Sequence, residues 1–305
     1  MSSSRLPAML STAMRAIRCL SDPDWCLSDL CNIISTDPAV VISLLKAANS
    51  THRCRNRTCE TLADAVLQLG KDVVVAVCLR SAIALDSMKP ASGFDDVYSL
   101  YWTQSVLQAL AAESLGCRIK EDTGTYFVAG LLADIGILVM LLADPDRYAS
   151  LMRTGVSSGE RQTTLESSVY GFNHVDVGVQ MAASWGVSDQ IVEAIRWQHV
   201  SIAEMLQVEQ VSNSRLKAAC FLAAQVAELY LGYKTSTAGL VIETVAGRHF
   251  ETSLQELLAQ TSGRINQQGP LFEVDPLQFS TVDELVTSAE SLLSQLLSPQ
   301  CCPTV

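Results

Sequence analysis

Apolar side chains recur every three or four residues along most of this chain, and no segment stands out with the strict alternation of a half-buried strand. Leu6, Met9, Leu10, Ala13, Met14, Ile17 and Leu20 predict a first helix starting near Pro7. A turn over Ser21 to Asp24 leads to a short helix marked by Leu27, Leu30, Ile33 and Ile34, and Asp37-Pro38 breaks before the helical run AVVISLLKAANS. Thr61 is placed to cap TLADAVLQLG, with Asp64 in the first turn and Gly70 just past the end. The β-branched run Val73, Val74, Val75 continues apolar through Ile83 and Leu85, a length that favours a buried helix over a strand.

Further on, Asp96 to Leu115 reads as a helix whose apolar stripe includes Gln104, and Val128 to Ala143 as one buried helix with Asp134 at its centre. Thr163 and Glu166 match the capping-box spacing, as do Thr281 and Glu284. His174 leads the apolar face of Asn173 to Trp185. Ser188 can cap a helix whose face is Ile191, Ile195 and His199. The predicted fold class is all-α. Lys89, Pro90, Ser92 and Gly93 suggest a boundary, giving helical subdomains over 1–91 and 92–248 and a helical extension over 249–305.

The Val128 to Ala143 stretch reads as core because it is short of the roughly 20 apolar residues of a membrane span and carries a carboxylate. An ionised carboxylate buried without partners costs several kcal/mol or more, at least about 3, so Asp134 must meet a metal, a cation or hydrogen-bond donors. Histidines on apolar faces are commonly satisfied core residues, but His174 and His199 together with Gln104 and Asp134 make a polar cluster.

Composition adds exclusions. With 49% hydrophobic and 17% charged residues over 305 positions, the chain is expected to be packed and ordered. A net charge of −11 opposes general nucleic-acid binding. Arg53, Arg55 and Arg57 form a local basic segment, read as a solvated loop or as a contact for an acidic partner or phosphate. The ten cysteines lack CxxC spacing, so reduced thiols and no zinc site at His52, Cys54 and Cys59 are expected, with Cys301 and Cys302 left to cross-link on oxidation. No signal peptide is evident in the first twenty residues, and the expected setting is cytoplasmic.

Several segments in order, LPAM, STDPAVVISLLKAANS, TLADAVLQLG, YWTQS, FVAGLLADIG, VYGFNHVDVGVQMAASWGV and AIRWQH, resemble the HDOD family, regulatory relatives of the HD-domain phosphohydrolases, over about residues 6–200. The resemblance implies that 92–248 is a degenerate HD-like bundle. It matches the early metal-binding histidine of catalytic HD proteins to Gln104, their His-Asp pair to Ala133 and Asp134, and their late aspartate to Ala224. Asp134, His174 and His199 remain as ligand types. The expectation is therefore a vestigial, metal-free polar cluster in a non-enzymatic signalling module without cofactor, which binds a protein partner or a small effector. No Walker loop or HExxH motif is present. A divergent metal-dependent phosphohydrolase and a non-catalytic nucleotide receptor are the alternatives. Binding to nucleic acid or membrane is not expected; a homodimer is permitted, though no heptad seam argues for it.

Overall fold

One buried apolar cluster runs from Ala13 in the first helix to Ala289 in the last, and the helices are arranged to feed it. The computed structural model describes residues 8–22, 24–50, 61–84, 94–158, 161–208, 212–232, 238–272 and 274–296, and no strand occurs among them. The basic segment 53–57, the His52/Cys54/Cys59 set, the boundary residues 89–93 and Cys301/Cys302 lie outside the described residues. Cys19, Cys26, Cys31, Cys78, Cys117 and Cys220 are free thiols.

The first helices are α1 (Ala8–Ser21), α2 (Leu27–Ile34), α3 (Pro38–Ser50), α4 (Leu62–Leu69) and α5 (Lys71–Ala84). Thr61 accepts the Asp64 N–H, and Gly70 ends α4 at φ 81°, as the sequence suggested. The valine-rich run of α5 is buried from Val73 to Leu79, which explains β-branched residues in a helix: packing outweighs their modest propensity cost. α1 and α3 pack on α5.

Next come α6 (Asp95–Arg118), α7 (Thr123–Leu132), α8 (Ile135–Ala143), α9 (Pro145–Ser158), α10 (Gln162–Tyr170), α11 (His174–Ser184), α12 (Asp189–Trp197), α13 (Ile202–Gln207) and α14 (Ser212–Tyr230). The long α6 is the spine, packed along α7, α14 and α16 (Leu254–Gln268), which follows α15 (Ala238–Phe250). The last helix is α17 (Val282–Leu296), where Thr281 and Glu284 form reciprocal capping bonds as expected. Between α16 and α17, the carbonyl of Phe272 accepts from Trp102 Nε1 at 2.8 Å and from Arg80 Nη1 at 2.6 Å, tying the extension to α5 and α6.

The stretch expected as one helix from Val128 to Ala143 is two. α7 ends at Leu132 with Ala133 as its C-cap, Asp134 leaves helical geometry at φ −97° and ψ 21°, and α8 starts anew at Ile135. With its flank from Thr123, the stretch is long and apolar enough to cross a membrane, but 78% of its most apolar window is buried inside the protein. Its length alone therefore does not exclude a span; its burial among other helices makes it core.

Candidate functional site

The α7–α8 break sets Asp134 at the centre of a polar cluster built from five directions. Asp134 occupies the N-cap position of α8, yet its side chain makes no capping bond and turns inward, fully buried. From α6, Gln104 and Gln108, one turn apart, both donate amide N–H groups to Asp134 Oδ2, Gln108 at 2.8 Å. From α11, His174 brings its Nε2 to 3.3 Å from Asp134 Oδ1, a separation of ionic character that is misaligned for a hydrogen bond. From α10, the buried Glu166 accepts His174 Nδ1–H at 2.8 Å and the His174 backbone N–H at 2.7 Å through one oxygen, and the Tyr148 hydroxyl through the other. After α12, His199 holds its Nε2 3.8 Å from Asp134 Oδ1, with its ring edge-on to His174 at 5.1 Å between centroids. Gln198 donates to the carbonyl of Ala133 at 2.7 Å, satisfying an acceptor that the broken helix releases.

Local sequence explains how these side chains reach one point. Gly130 lets α7 sit on α6: a Cβ there would lie 2.5 Å from the Gln108 carbonyl and 2.8 Å from Ala109 Cα. Gly136 does the same for α8, where a Cβ would run into the His174 carbonyl. Asn173 fixes the start of α11 with a full capping box, accepting from Val175 and Asp176 while Asp176 accepts the Asn173 N–H. His174 is therefore the first residue of a helix whose entry is pinned on both sides.

Electrostatics follow from these contacts. Burial by itself would raise the Asp134 pKa, but His174 and then His199 hold the carboxyl well below the usual range. Burial would lower the His174 pKa; Asp134 and Glu166 on either side of the ring outweigh it and push it up to about 10. For Glu166, burial raises and the His174 contacts lower, and the net direction is down. Glu228, half-buried on α14 one turn beyond Ala224, also feels His199, Arg161 and Asp134, although burial dominates and raises its pKa.

All four residues read from the sequence, Gln104, Asp134, His174 and His199, therefore meet, though His199 sits in the turn after α12 and not on the helix. Ser188 stands at the N-cap of α12 without a side-chain bond. Glu166 is the main omission. It was expected to cap α10 with Thr163, but that helix begins at Gln162 after Arg161, with no side-chain cap, and Glu166 falls on its second turn facing the core. Gln108 and Gln198 were also missed; Gln108 lies four residues after Gln104, a spacing that could have flagged it.

The HDOD domain family profile matches residues 6–201. A Treponema pallidum (strain Nichols) protein of unassigned function is 23% identical over 196 residues, 64% of this chain and 37% of its own length, so the chain matches well under two thirds of that relative. Among solved structures, an HDOD domain protein of unknown function from Geobacter sulfurreducens superposes with a TM-score of 0.63 at 19% identity, covering 93% of this chain and 94% of its own. A Shewanella amazonensis SB2B protein with a provisional phosphohydrolase name gives a TM-score of 0.62 at 21% identity, covering 90% and 94%. A Marinobacter aquaeolei VT8 protein with a provisional signal transduction name gives 0.61 at 21%, covering 95% and 59%. At these identities the likeness establishes the all-α fold alone.

Proposed function

From the premise that the chain belongs to the HDOD domain family, we propose that it is a non-enzymatic signalling module acting through a protein partner or a small effector. The observation that carries this reading is how Asp134 is used. One carboxylate oxygen is occupied by the amides of Gln104 and Gln108, and Asp134 and His174 are 0% and 1% exposed. A phosphoester needs an open coordination position and a concave site around it. Among the described residues, one cleft of about 400 Å³ lies away from the cluster, between α1, α5, α7 and α12, and another beside Leu100 and Phe279. The cluster is suited instead to holding α6, α8, α10, α11 and the end of α12 in one arrangement, so that a partner altering one helix alters the others. The basic segment Arg53, Arg55 and Arg57 remains the candidate contact for an acidic partner.

A metal-dependent phosphohydrolase is the second reading, favoured by one observation: donor atoms of Asp134, His174 and His199 lie within 4.8 Å of one another. When bound in such a set, a metal ion would lower the pKa of a water and neutralise phosphate charge. Asp134, His174 and His199 would hold it, Gln104 and Gln108 would orient the carboxylate, and Glu166 would orient His174.

The test has two arms. The purified protein is assayed on phosphomonoesters and phosphodiesters with added Zn2+, Mn2+ and Ni2+, and is used as bait in its native cell extract, with a charge-neutralised Arg53/Arg55/Arg57 variant beside it. No turnover above blank and a partner lost with the neutralised variant are expected. Turnover abolished by Asp134→Asn would replace this reading with the hydrolytic one.

A further inference from the structure

The cleft of about 400 Å³ between α1, α5, α7 and α12 has the size of a small-molecule site, and its walls carry two chemistries. Val75, Val128 and Ile191 line it with aliphatic surface, joined by the half-buried ring of Trp25. Against these stand three carboxylates, Asp22, Asp72 and Asp122, and among the lining side chains one cation, Lys71. That lysine is engaged by Asp122 at 3.0 Å, and Asp22 accepts the Asp24 N–H at 3.0 Å. Asp72 is left short: its Oδ1 is enclosed without a hydrogen-bond partner, and burial outweighs Lys71 and raises its pKa to about 6. Buried polar atoms are nearly always partnered, so this one needs an explanation.

The chain keeps space beside it. Gly124 stands in the first turn of α7, where a Cβ would lie 2.6 Å from Asp72 Oδ1 and 2.8 Å from Lys71 Nζ. An anion would meet three carboxylates in this cleft. A neutral apolar molecule would desolvate Asp72 further and bring it no donor, which is costly. A bare metal ion would leave the aliphatic and aromatic walls uncovered. An ammonium or guanidinium group on an apolar body satisfies both chemistries, because its N–H groups donate to the carboxylate and an indole face attracts its charge. We infer that this cleft binds a small organic cation, an amine, amidine or guanidine carried on an apolar body, with Asp72 as its anchor and Trp25 as its aromatic wall.

The role of that cation as the effector rests on the signalling reading; its binding does not. Two of the cleft's walls lead to the Asp134 cluster. α7 has Gly124 and Val128 at the cleft and reaches its C-cap at Ala133, whose carbonyl Gln198 holds. α12 has Ile191 at the cleft and leads into Gln198 and His199. An occupant of the cleft therefore bears on both helices that frame the α7–α8 break.

The full chain is titrated by ligand-observed NMR and thermal shift with tryptamine, phenethylamine, benzamidine and agmatine, and with tryptophol and indoleacetate as the neutral and anionic matches of tryptamine. Saturable, mutually competing binding of the cations is expected, with a midpoint that rises with their concentration, and none of the neutral or anionic matches. Asp72→Asn removes a buried charge and should keep the fold while weakening tryptamine about 10- to 100-fold, the worth of one charge-assisted hydrogen bond. Trp25→Leu, at a half-buried position, should weaken tryptamine more than agmatine. On tryptamine binding the His174 and His199 imidazole resonances should shift; if they stay fixed, the cation is not the effector. No saturable binding up to millimolar cation, equal binding of tryptophol, or tryptamine binding unchanged in both variants overturns the inference and leaves the signalling reading standing. Cation binding as expected in a protein that also turns over phosphoesters would keep the cleft and remove the signalling reading.

Discussion

Asp134 and Asp72 are both aspartates drawn out of water by the same helical core, and their environments push them in opposite directions. Asp134 is fully enclosed, yet two glutamine amides and two histidines keep it ionised and its pKa depressed. Asp72, at the start of α5, is mostly buried with its Oδ1 enclosed and without a hydrogen-bond partner. Burial there outweighs the help of Lys71, and its pKa rises to about 6. Partner supply, and not depth, decides which buried carboxylate stays charged. The contrast also separates a carboxylate complete in its partners from one still short of them: partners converge on Asp134 from α6, α11 and the turn after α12, whereas Asp72 has a neighbouring lysine that is already paired with Asp122 at 3.0 Å.

The comparison breaks most sharply at Asp134. Asp134→Asn removes the anion on which both imidazoles converge and leaves a raised-pKa His174 with Glu166 alone. Breaking one side of a buried ion pair costs about 3 to 5 kcal/mol, so a lower midpoint in urea with an unchanged slope is expected. An unchanged midpoint would show that the cluster carries little of the fold.

A second break leaves every polar group in place and moves the backbone. A Cβ at Gly136 would meet the His174 carbonyl and lie 2.8 Å from the Gly178 N. Both are backbone atoms that cannot swing aside, so Gly136→Ala should cost about 1 to 3 kcal/mol, the usual range for overpacking, or more. It should also separate His174 from Asp134, visible as a shifted imidazole resonance. Full stability in this variant would mean that α8 and α11 have slack.

How far these features could be read in advance differs along the chain. Periodic spacing gave the helices and several ends, because Thr61, Gly70 and the Thr281/Glu284 pair act locally and their residue types carry the signal. The α7–α8 break carried none: from Val128 to Ala143 no proline marks it, and the turn is held from outside, by Gln198 on the Ala133 carbonyl. Tertiary contacts overrode a continuous helical pattern. The histidines were legible from the faces they lead, but Glu166 was hidden by a four-residue capping pattern that its sequence satisfies and its structure does not use. A short motif is satisfied by chance more easily than a twenty-residue periodicity, which is why the fold was clearer than the site.

Asp72 sharpens the contrast through pH. Its ordinary value of 3.8 rises to about 6 in the folded protein, so the native state binds more protons between those values. Stability therefore falls as pH rises through that window, and the penalty is full above about 6. Asp72→Asn should flatten this slope and raise stability at pH 7 by about 1 to 2 kcal/mol, after allowing for the amide it buries. A slope between pH 4 and 6 unchanged in this variant would assign it to other carboxylates.

The smallest effect belongs to Lys71, and it tests whether the two aspartates differ by partner supply. Lys71 is 37% exposed and Asp122 57%, so their ion pair contributes no more than about 1 kcal/mol, and salt should reduce it. Lys71→Gln is thus expected to change the unfolding midpoint little. Its consequence should appear at Asp72, because Lys71 is the first of the charges that oppose the effect of burial there. Without it the Asp72 carboxyl should titrate higher still, followed by its side-chain carbon resonance, and the pH window of falling stability should move up with it. Asp134, whose partners are Gln104, Gln108, His174 and His199, should be indifferent. If the Asp72 titration stays in place in this variant, Lys71 does not supply the partial compensation, and the orphaned Oδ1 beside Gly124 must be compensated by the N-terminus of α7 instead.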